Sequence, residues 1–234
     1  MSATSNPGRV AGLWYLLLVF LGPLRLIYIP SKLFVEGDAG ATVDNIAAHE
    51  WLFRLGIVAD LAGAVVLVML TLAFYRLFEG VSRSMAVQVV IFGGVMPALI
   101  YFVNSVSDAA ALMIVKDTHV LAAFDKPQRD ALAWLFVQLH DHQVTSAEIL
   151  WGVWLFPLGL LVYKSGFLPR FLGVWLLING VAYVALSLTG LLAPEYQDAI
   201  FLYAQPAFCG EIALVLWLLI KGAAPEMRAR TSFV

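Results

Sequence analysis

The amino-acid sequence predicts an all-α integral membrane protein built as a bundle of six transmembrane helices. Of its 234 residues, 62% are hydrophobic and 13% are charged, whereas a soluble domain is about half apolar and about a quarter charged. A soluble protein of this composition would expose large apolar patches and aggregate. The apolar residues also fall into six runs of roughly 20 residues, the length that crosses a bilayer as a helix. We expect a single transmembrane domain over residues 1–234.

The first predicted span covers about residues 10–30 and begins just after Arg9. Its run, VAGLWYLLLVFLGPLRLIYIP, is too long for the apolar region of a secretory signal peptide and lacks a small-residue cleavage site. We therefore expect this segment to remain in the protein as the first helix. Gly22 and Pro23 lie inside the run, and they predict a kink because proline cannot donate a backbone hydrogen bond.

Five further runs predict spans at about 54–76, 85–106, 143–163, 170–192 and 200–220. Backbone groups in hydrocarbon must bond within their own segment, so a helix is the expected form of each separate run. Pro157, which has Gly152 and Gly159 near it, predicts a kink or break in the fourth span. Pro206 predicts another in the sixth span.

Basic residues predict the orientation of the bundle, because they are enriched in loops that face the cytoplasm. One set of chain ends and loops is short and carries Arg9, Arg76, Arg83, Lys164, Arg170, Lys221, Arg228 and Arg230. The other set consists mainly of longer loops and carries Lys32, Lys116, Lys126 and Arg129. This asymmetry predicts that both termini are cytoplasmic.

The outer connections, at residues 31–49 and 107–130, are long enough to contain helical extensions. Thr42 or Asp44 is expected to start the second helix, and Asp125 is expected to cap the fourth helix with Pro127 in its first turn. Helices two and four should therefore extend about two to four turns beyond the outer face of the membrane. These extracytoplasmic extensions would cover the outer end of the bundle.

Ionisable and amide side chains gather in the outer half of the predicted bundle. A charge at the bilayer centre costs at least about 2.5–3.5 kcal/mol, so these residues are expected to face one another or a wet cavity. The sequence therefore predicts one polar cavity. Its expected ligand-binding residues are Arg25, Glu50, Arg54, Asp60, Asn104, Asp108, His140, Glu148 and Glu211.

Helical spacing predicts some of the contacts between these residues. Glu50 and Arg54 are four residues apart and are expected to bond each other. Asp60 lies on a different face from Arg54, so it needs another partner, either Arg25 or a backbone group. Glu148 is expected to point into a wet pocket shared with Arg25 and Arg54. The alternative left open is that the embedded charges are structural ion pairs that hold the helices in register.

The sequence does not favour a metal or a cofactor. His140 and His142 are two residues apart and would point about 200° apart on a helix, so we expect no metal site there. No basic patch or phosphate-binding loop predicts a nucleic-acid partner. The single cysteine, Cys209, lies in an apolar run and is expected to pack as a small core residue. The candidates for acid–base catalysis are Glu148, Glu211 and His140.

Four stretches of the chain also carry a family resemblance. They are GPLRLIYIPSKLFVEGDAGATVDNIAAHEWLFRLGIVADL, QLHDHQ, WGVWLFPLGLLVYKSGFLPRFLGVWLLINGVAYV and PAFCGEIALVLWLLIKG. Together they resemble the bacterial domain-of-unknown-function 4386 family over about residues 8–222. The resemblance implies a polytopic protein of the bacterial inner membrane. It implies no catalytic or binding residue, so the predicted site rests on membrane depth and helical spacing.

Three functions are compatible with this pattern. In the first, the cavity binds or transports a small polar or anionic ligand, with Arg25 and Arg54 holding an anion. Glu50, Glu148 and Glu211 would then orient the ligand or carry a proton. In the second, the protein is an intramembrane enzyme acting on a lipid or isoprenoid. In the third, it is a structural membrane subunit. Membrane lipids are the expected partners, and the sequence leaves the substrate and the oligomeric state open.

Overall fold

The computed structural model describes residues 6–116 and 121–223, and all regular structure within these ranges is helical. Five of the described helices are long and apolar enough to cross a membrane: Pro7–Leu33, Glu50–Lys116, Lys126–Ser165, Arg170–Leu192 and Pro194–Ile220. The all-α class is confirmed, but five long helices stand where six spans were predicted. Arg228 and Arg230, which contributed to the predicted orientation, lie outside the described residues.

The first long helix changes its winding in the middle. Helix α1 (Pro7–Pro23) passes into a π turn (Leu24–Tyr28) and then into helix α2 (Ile29–Leu33). Pro23 has no backbone N–H to donate, and the hydrogen-bond ladder shifts register just after it. The expected irregularity near Gly22 and Pro23 is therefore present, and it takes the form of a π turn.

Helix α3 (Ala39–Ala48) is a separate short helix. Asp38 caps it, because Oδ1 of Asp38 accepts a hydrogen bond from the backbone N–H of Ala41 over 2.8 Å. Thr42 lies inside α3, where its Oγ1 instead accepts from the N–H of Val35. The prediction that Thr42 or Asp44 starts the second long helix is therefore wrong. Helix α3 ends before His49, whose backbone is not helical.

The next run explains why five long helices replace six predicted spans. Helix α4 (Glu50–Val90), a second π turn (Ile91–Val95) and helix α5 (Met96–Lys116) form one run of 67 residues. The run is broken at Ser82, where φ is −161° and ψ is 107°. This break falls in the predicted inner connection FEGVSRS. The run therefore contains two of the predicted spans, those at 54–76 and 85–106.

Helix α6 (Lys126–Val153) begins well before the predicted fourth span. Asp125 caps it as predicted, since its Oδ1 accepts from the N–H of Gln128 over 2.9 Å. The 17 residues from 126 to 142 add between four and five turns ahead of the span expected at 143. An extension of the fourth helix is thus present, and it is longer than expected.

Helix α7 (Leu155–Ser165) follows α6 after a single residue, Trp154. Trp154 has helical φ and ψ angles of −69° and −24°, and its backbone bonds Leu150 and Leu158 as in a helix, so α6 and α7 form one run of 40 residues. The break predicted around Pro157 is therefore absent, and only the hydrogen bond that the proline cannot donate is missing. Helix α7 ends at Gly166, which has a φ of +73°. Only glycine adopts this left-handed conformation readily, and it commonly ends helices.

The last two long helices are α8 (Arg170–Leu192) and α9 (Gln197–Ile220), and a short 3₁₀ helix, Pro194–Tyr196, lies between them. Helix α9 continues through Pro206, so the break predicted there is absent. Nε1 of Trp175 on α8 donates to the carbonyl oxygen of Pro206 over 3.0 Å. This bond ties the two helices together beside the proline.

The described residues group into two compact units. The first contains residues up to Val19, residues 65–98 and residues from Thr145 onward. Its apolar core is built from leucine and aromatic side chains, including Tyr15, Leu70, Phe74, Leu77, Trp154, Leu158, Leu161, Leu172 and Leu214. Rings of Tyr15, Phe74 and Trp154 lie in mutual contact, with centroids 5.9–6.3 Å apart.

Two pairs of glycines bring helices together in this unit. A Cβ on Gly152 would lie 2.5 Å from the carbonyl oxygen of Gly180, and one on Gly173 would lie 2.6 Å from that of Gly159. Along each of the two helical segments, the glycines of the two pairs are seven residues apart, which is two helical turns. Helix α8 therefore lies against the α6–α7 segment with its backbone at close range, as small residues permit between membrane helices.

The second unit contains residues 20–64 and 99–144. Its main core consists of Ile29, Leu33, Ile46, Phe53, Ala111, Leu112 and Val137. Nδ2 of Asn45 on α3 donates to the carbonyl oxygen of Leu33 over 3.2 Å, which ties α3 to the end of α2. Most of the predicted site residues belong to this unit.

Candidate functional site

Four side chains meet in the interior of the second unit, and we call them the Arg25 group: Arg25, Asp60, Asp108 and His140. Nε of Arg25 donates to Oδ2 of Asp60 over 3.0 Å, and its Nη2 donates to Oδ2 of Asp108 over 2.6 Å. Nη2 also lies 2.9 Å from Nδ1 of His140. None of the four residues is more than 5% exposed. The predicted pairing of Asp60 with Arg25 is confirmed.

Each member of the Arg25 group comes from a different helical segment. Arg25 belongs to the π turn after α1, and Asp60, Asp108 and His140 belong to α4, α5 and α6. Gly56 lies one turn before Asp60, and a Cβ there would be 3.6 Å from both Cδ and Nε of Arg25. The arginine side chain therefore lies in van der Waals range of the backbone one turn before its carboxylate partner.

The Arg25 group contains two carboxyl groups and one guanidinium. A guanidinium only donates hydrogen bonds, so Nδ1 of His140 is the acceptor in its contact with Arg25. The carboxyl groups of Asp60 and Asp108 both bond the guanidinium, and Nδ1 of His140 also lies 3.3 Å from Oδ1 of Asp108. Ligand atoms of Asp60, Asp108 and His140 lie within 4.8 Å of one another. Carboxylate oxygens and an imidazole nitrogen are therefore close enough together to contact one cation.

Three buried oxygen atoms in or next to this group accept no hydrogen bond from the described residues, although Nδ1 of His140 lies 3.3 Å from one of them, Oδ1 of Asp108. They are Oδ1 of Asn104, Oδ1 of Asp108 and Oε1 of Gln143. Asn104 and Asp108 are four residues apart on α5, so they share a face. Gln143 reaches the same part of α5, because its Nε2 donates to Oγ of Ser107 over 3.4 Å. Buried acceptors normally bind a donor or a cation, so these three need an explanation.

Two predicted site residues, Glu50 and Arg54, form a different and more exposed group. Nε of Arg54 donates to Oε1 of Glu50 over 2.7 Å, and Nζ of Lys116 lies 2.7 Å from Oε2 of the same glutamate. The predicted bond between Glu50 and Arg54 is thus confirmed. The side chain of Arg54 is 55% exposed, so Arg54 does not join the buried Arg25 group.

Glu211 belongs to the first unit and has its own partners. Its Oε2 accepts from the hydroxyl of Tyr15 over 2.8 Å, and its Oε1 accepts from Nδ2 of Asn179 over 2.9 Å. Tyr15 and Asn179 were not among the predicted site residues. Asn179 could have been found from the sequence, because it is an amide in the middle of the apolar run at 170–192. Tyr15 gave no such signal, because tyrosine is common in membrane helices.

Glu148 is also in the first unit and is partly buried. Its Oε2 is inaccessible and has no hydrogen-bond partner among the described residues. Arg25 and Arg54 bond other residues. The pocket expected to unite Glu148 with both arginines is therefore not supported by the hydrogen bonds. Cys209 is exposed on α9, so the prediction that it packs in a core is wrong.

A cavity of about 130 Å³ in the second unit is lined by other residues. Its lining includes Val43, Asp44, Ile114, Lys126, Arg129 and Asp130. Nζ of Lys126 lies 3.2 Å from Oδ1 of Asp44 and 2.7 Å from Oδ2 of Asp130, so one lysine links the two acids. This cavity contains none of the predicted ligand-binding residues.

Comparison with known proteins gives three further findings. An uncharacterized protein of Archaeoglobus fulgidus is 40% identical over 74 residues, which is 32% of this chain. The matched part covers 43% of that relative, less than half of its length. No solved structure matches the chain. Residues 10–222 match the family described as Domain of unknown function (DUF4386), and the chain therefore belongs to the DUF4386 family.

Proposed function

We propose that this protein binds a monovalent cation at the Arg25 group, and that cation binding serves the transport or sensing of a small solute. The observation that carries the proposal is a pair of carboxyl groups facing one guanidinium, next to buried oxygens of Asn104, Asp108 and Gln143 that accept no hydrogen bond among the described residues. Carboxylate and amide oxygens are the ligands that hard cations prefer. A monovalent cation would supply these oxygens with a positively charged partner.

A cation fits this site better than the anionic ligand considered from the sequence. Arg25 is already bonded to two carboxylates, so it has no free positive charge to offer an anion. Arg54 bonds Glu50 at an exposed position. A small polar solute remains compatible with the proposal, since a bound cation could hold its polar groups. Transport of such a solute would then depend on the cation.

The enzyme alternative has less support. Glu211 and His140, two of the proposed acid–base residues, bond different partners, and Glu148 is not a hydrogen-bond partner of either among the described residues. A lipid or isoprenoid substrate would need these groups around one reacting atom. The purely structural alternative treats the Arg25 group as an ion-pair cluster that holds helix register, and the cation experiment distinguishes this role from binding.

The cation proposal predicts that sodium stabilises the purified protein in detergent. Thermal unfolding would be measured in increasing NaCl, with choline chloride keeping the ionic strength constant. At a sodium concentration about 100 times the Kd, the expected stabilisation is about 2.7 kcal/mol. Parallel titrations with KCl and with pH would show whether potassium or a proton is preferred to sodium.

Two variants test where the cation binds. Asp108→Asn removes one of the two carboxylate charges, and Asn104→Leu removes one oxygen without changing Arg25, so each should abolish the sodium effect. Asp44→Asn is the matched control, because Asp44 is exposed and bonds Lys126. Equal stabilisation of wild type and both variants would contradict the proposal, as would a wild-type protein that responds to no cation. The second result would favour the structural role.

We further propose that the helices cross the bacterial inner membrane six times, with both termini cytoplasmic and the α6 extension outside. The break at Ser82 supports two crossings in the 67-residue run. In a Cys209→Ser background, Ser31→Cys should react with an impermeant thiol reagent in intact spheroplasts. Ser84→Cys should react only after lysis. Both positions are exposed. The reverse labelling pattern would overturn the orientation.

A further inference from the structure

Helix α9 carries an acid in the middle of an apolar segment. Glu211 is the fifteenth of the 24 residues of Gln197–Ile220. The hydroxyl of Tyr15 on α1 and Nδ2 of Asn179 on α8 are its hydrogen-bond donors. Three helices of the first unit therefore converge on one carboxyl group. Asn179 is fully buried, and Tyr15 is 3% exposed.

No arginine, lysine or histidine among the described residues is paired with Glu211. Its hydrogen-bond partners, Tyr15 and Asn179, are neutral, and Tyr183 on α8, which interacts with Tyr15, stacks on Phe208 of α9 with ring centroids 4.7 Å apart. A carboxylate without a counter-charge is costly to bury in an apolar medium. Two neutral donors offset only part of that cost. The surroundings of Glu211 therefore favour a carboxyl group that can become neutral by binding a proton.

The amide of Asn179 offers a place for an acid proton. Its Nδ2 donates to Oε1 of Glu211, while its Oδ1 is buried and has no hydrogen-bond partner among the described residues. Rotating the amide by half a turn would exchange these two atoms. Oδ1 would then accept a hydrogen bond from a protonated Oε1. Tyr15 could keep donating to Oε2, so the neutral form of Glu211 would retain both contacts.

We propose that Glu211, with Tyr15 and Asn179, is a reversible proton-binding site in the first unit. The carboxylate takes up one proton from water and becomes a neutral acid, and the Asn179 amide changes from donor to acceptor. Release of the proton reverses both changes. This site is separate from the proposed cation site, since it uses none of the residues of the Arg25 group. It provides the protein with a second place at which charge can be gained or lost.

The proposal can be tested with dicyclohexylcarbodiimide, an apolar reagent that adds to protonated carboxyl groups. Its stable N-acylurea adduct is located by peptide mass spectrometry on the full-length protein in detergent. We expect labelling of Glu211 that declines as pH rises. The infrared carbonyl band of a protonated carboxyl group should decline in parallel, and Glu211→Gln should lack that band.

Tyr15→Phe tests the role of the hydroxyl as a positioning group. It removes a donor that favours the carboxylate, so the midpoint of the labelling curve should move to higher pH. Glu79→Gln, at an exposed position on α4, is the control and should leave Glu211 labelling unchanged. In the Asp108→Asn variant, Glu211 should be labelled as in wild type. A failure of the cation proposal would therefore not imply that the proton-binding proposal fails. Absence of Glu211 labelling at every pH, or labelling that ignores pH, would overturn the proposal.

Discussion

Arg25→Met should lower the free energy of unfolding by about 3–5 kcal/mol, because it leaves buried acids without their cation. Methionine keeps an unbranched apolar side chain but removes the hydrogen bonds to Asp60, Asp108 and His140. Both aspartates are at most 4% exposed, so water cannot replace the lost partner easily. Tryptophan fluorescence during reversible unfolding in mixed denaturing micelles would give the free energy of unfolding.

The matched control is Arg54→Met, since Arg54 also pairs with an acid but at an exposed position. This variant should change stability only slightly, because exposed ion pairs contribute little. Adding Asp108→Asn to Arg25→Met should recover part of the loss, as it removes one of the uncompensated charges. An Arg25→Met protein that unfolds like wild type would show that the ion pairs do not hold the second unit together.

Gly152→Ala is expected to destabilise the first unit by about 1–3 kcal/mol, the usual cost of overpacking a tight contact. The new methyl group would lie 2.5 Å from the carbonyl oxygen of Gly180 and 2.9 Å from the backbone nitrogen of Val184. Backbone atoms cannot rotate away as a side chain can, so α8 would have to move. The loss would be read from the same unfolding curves.

Gly80→Ala is the control for this substitution. A Cβ at Gly80 meets nothing within 4 Å, and the residue is helical and exposed. Alanine is favoured over glycine in a helix by about 1 kcal/mol, so Gly80→Ala should leave stability equal or higher. If Gly152→Ala also left stability equal or higher, that result would contradict the close backbone contact between α8 and the α6–α7 segment.

Much of the fold could be predicted because apolar runs and helix-breaking residues act locally. The irregularity after Pro23 and the Asp125 cap both follow from the residues at those positions. The continuous path through Pro206 could not be predicted, since tertiary contacts decide whether a proline interrupts a helix. The start of α3 was also missed, because Asp38, Thr42 and Asp44 are all acceptable caps.

The candidate site could be predicted only in part. Spacing within one helix predicted the bond between Glu50 and Arg54. Because Asp60 and Arg54 lie on different faces of that helix, Arg25 was a predicted partner of Asp60. Which helix faces which is not contained in such spacing. The separation of Glu211 from the Arg25 group, and its bond to Asn179, depend on helix packing between distant segments. The sequence predicted that the acids and arginines share one cavity, whereas in the structure they bond several separate sets of partners.

The Arg25 group has a consequence for how the chain is made. Arg25 leaves the ribosome first, and its partners follow 35, 83 and 115 residues later. The first helix therefore emerges with a guanidinium that has no partner yet. Translation must pass residue 140 before the last partner exists. The Arg25 group therefore cannot be completed until more than half of the chain has been made, and a nascent chain halted before that point would hold an arginine without its full set of partners.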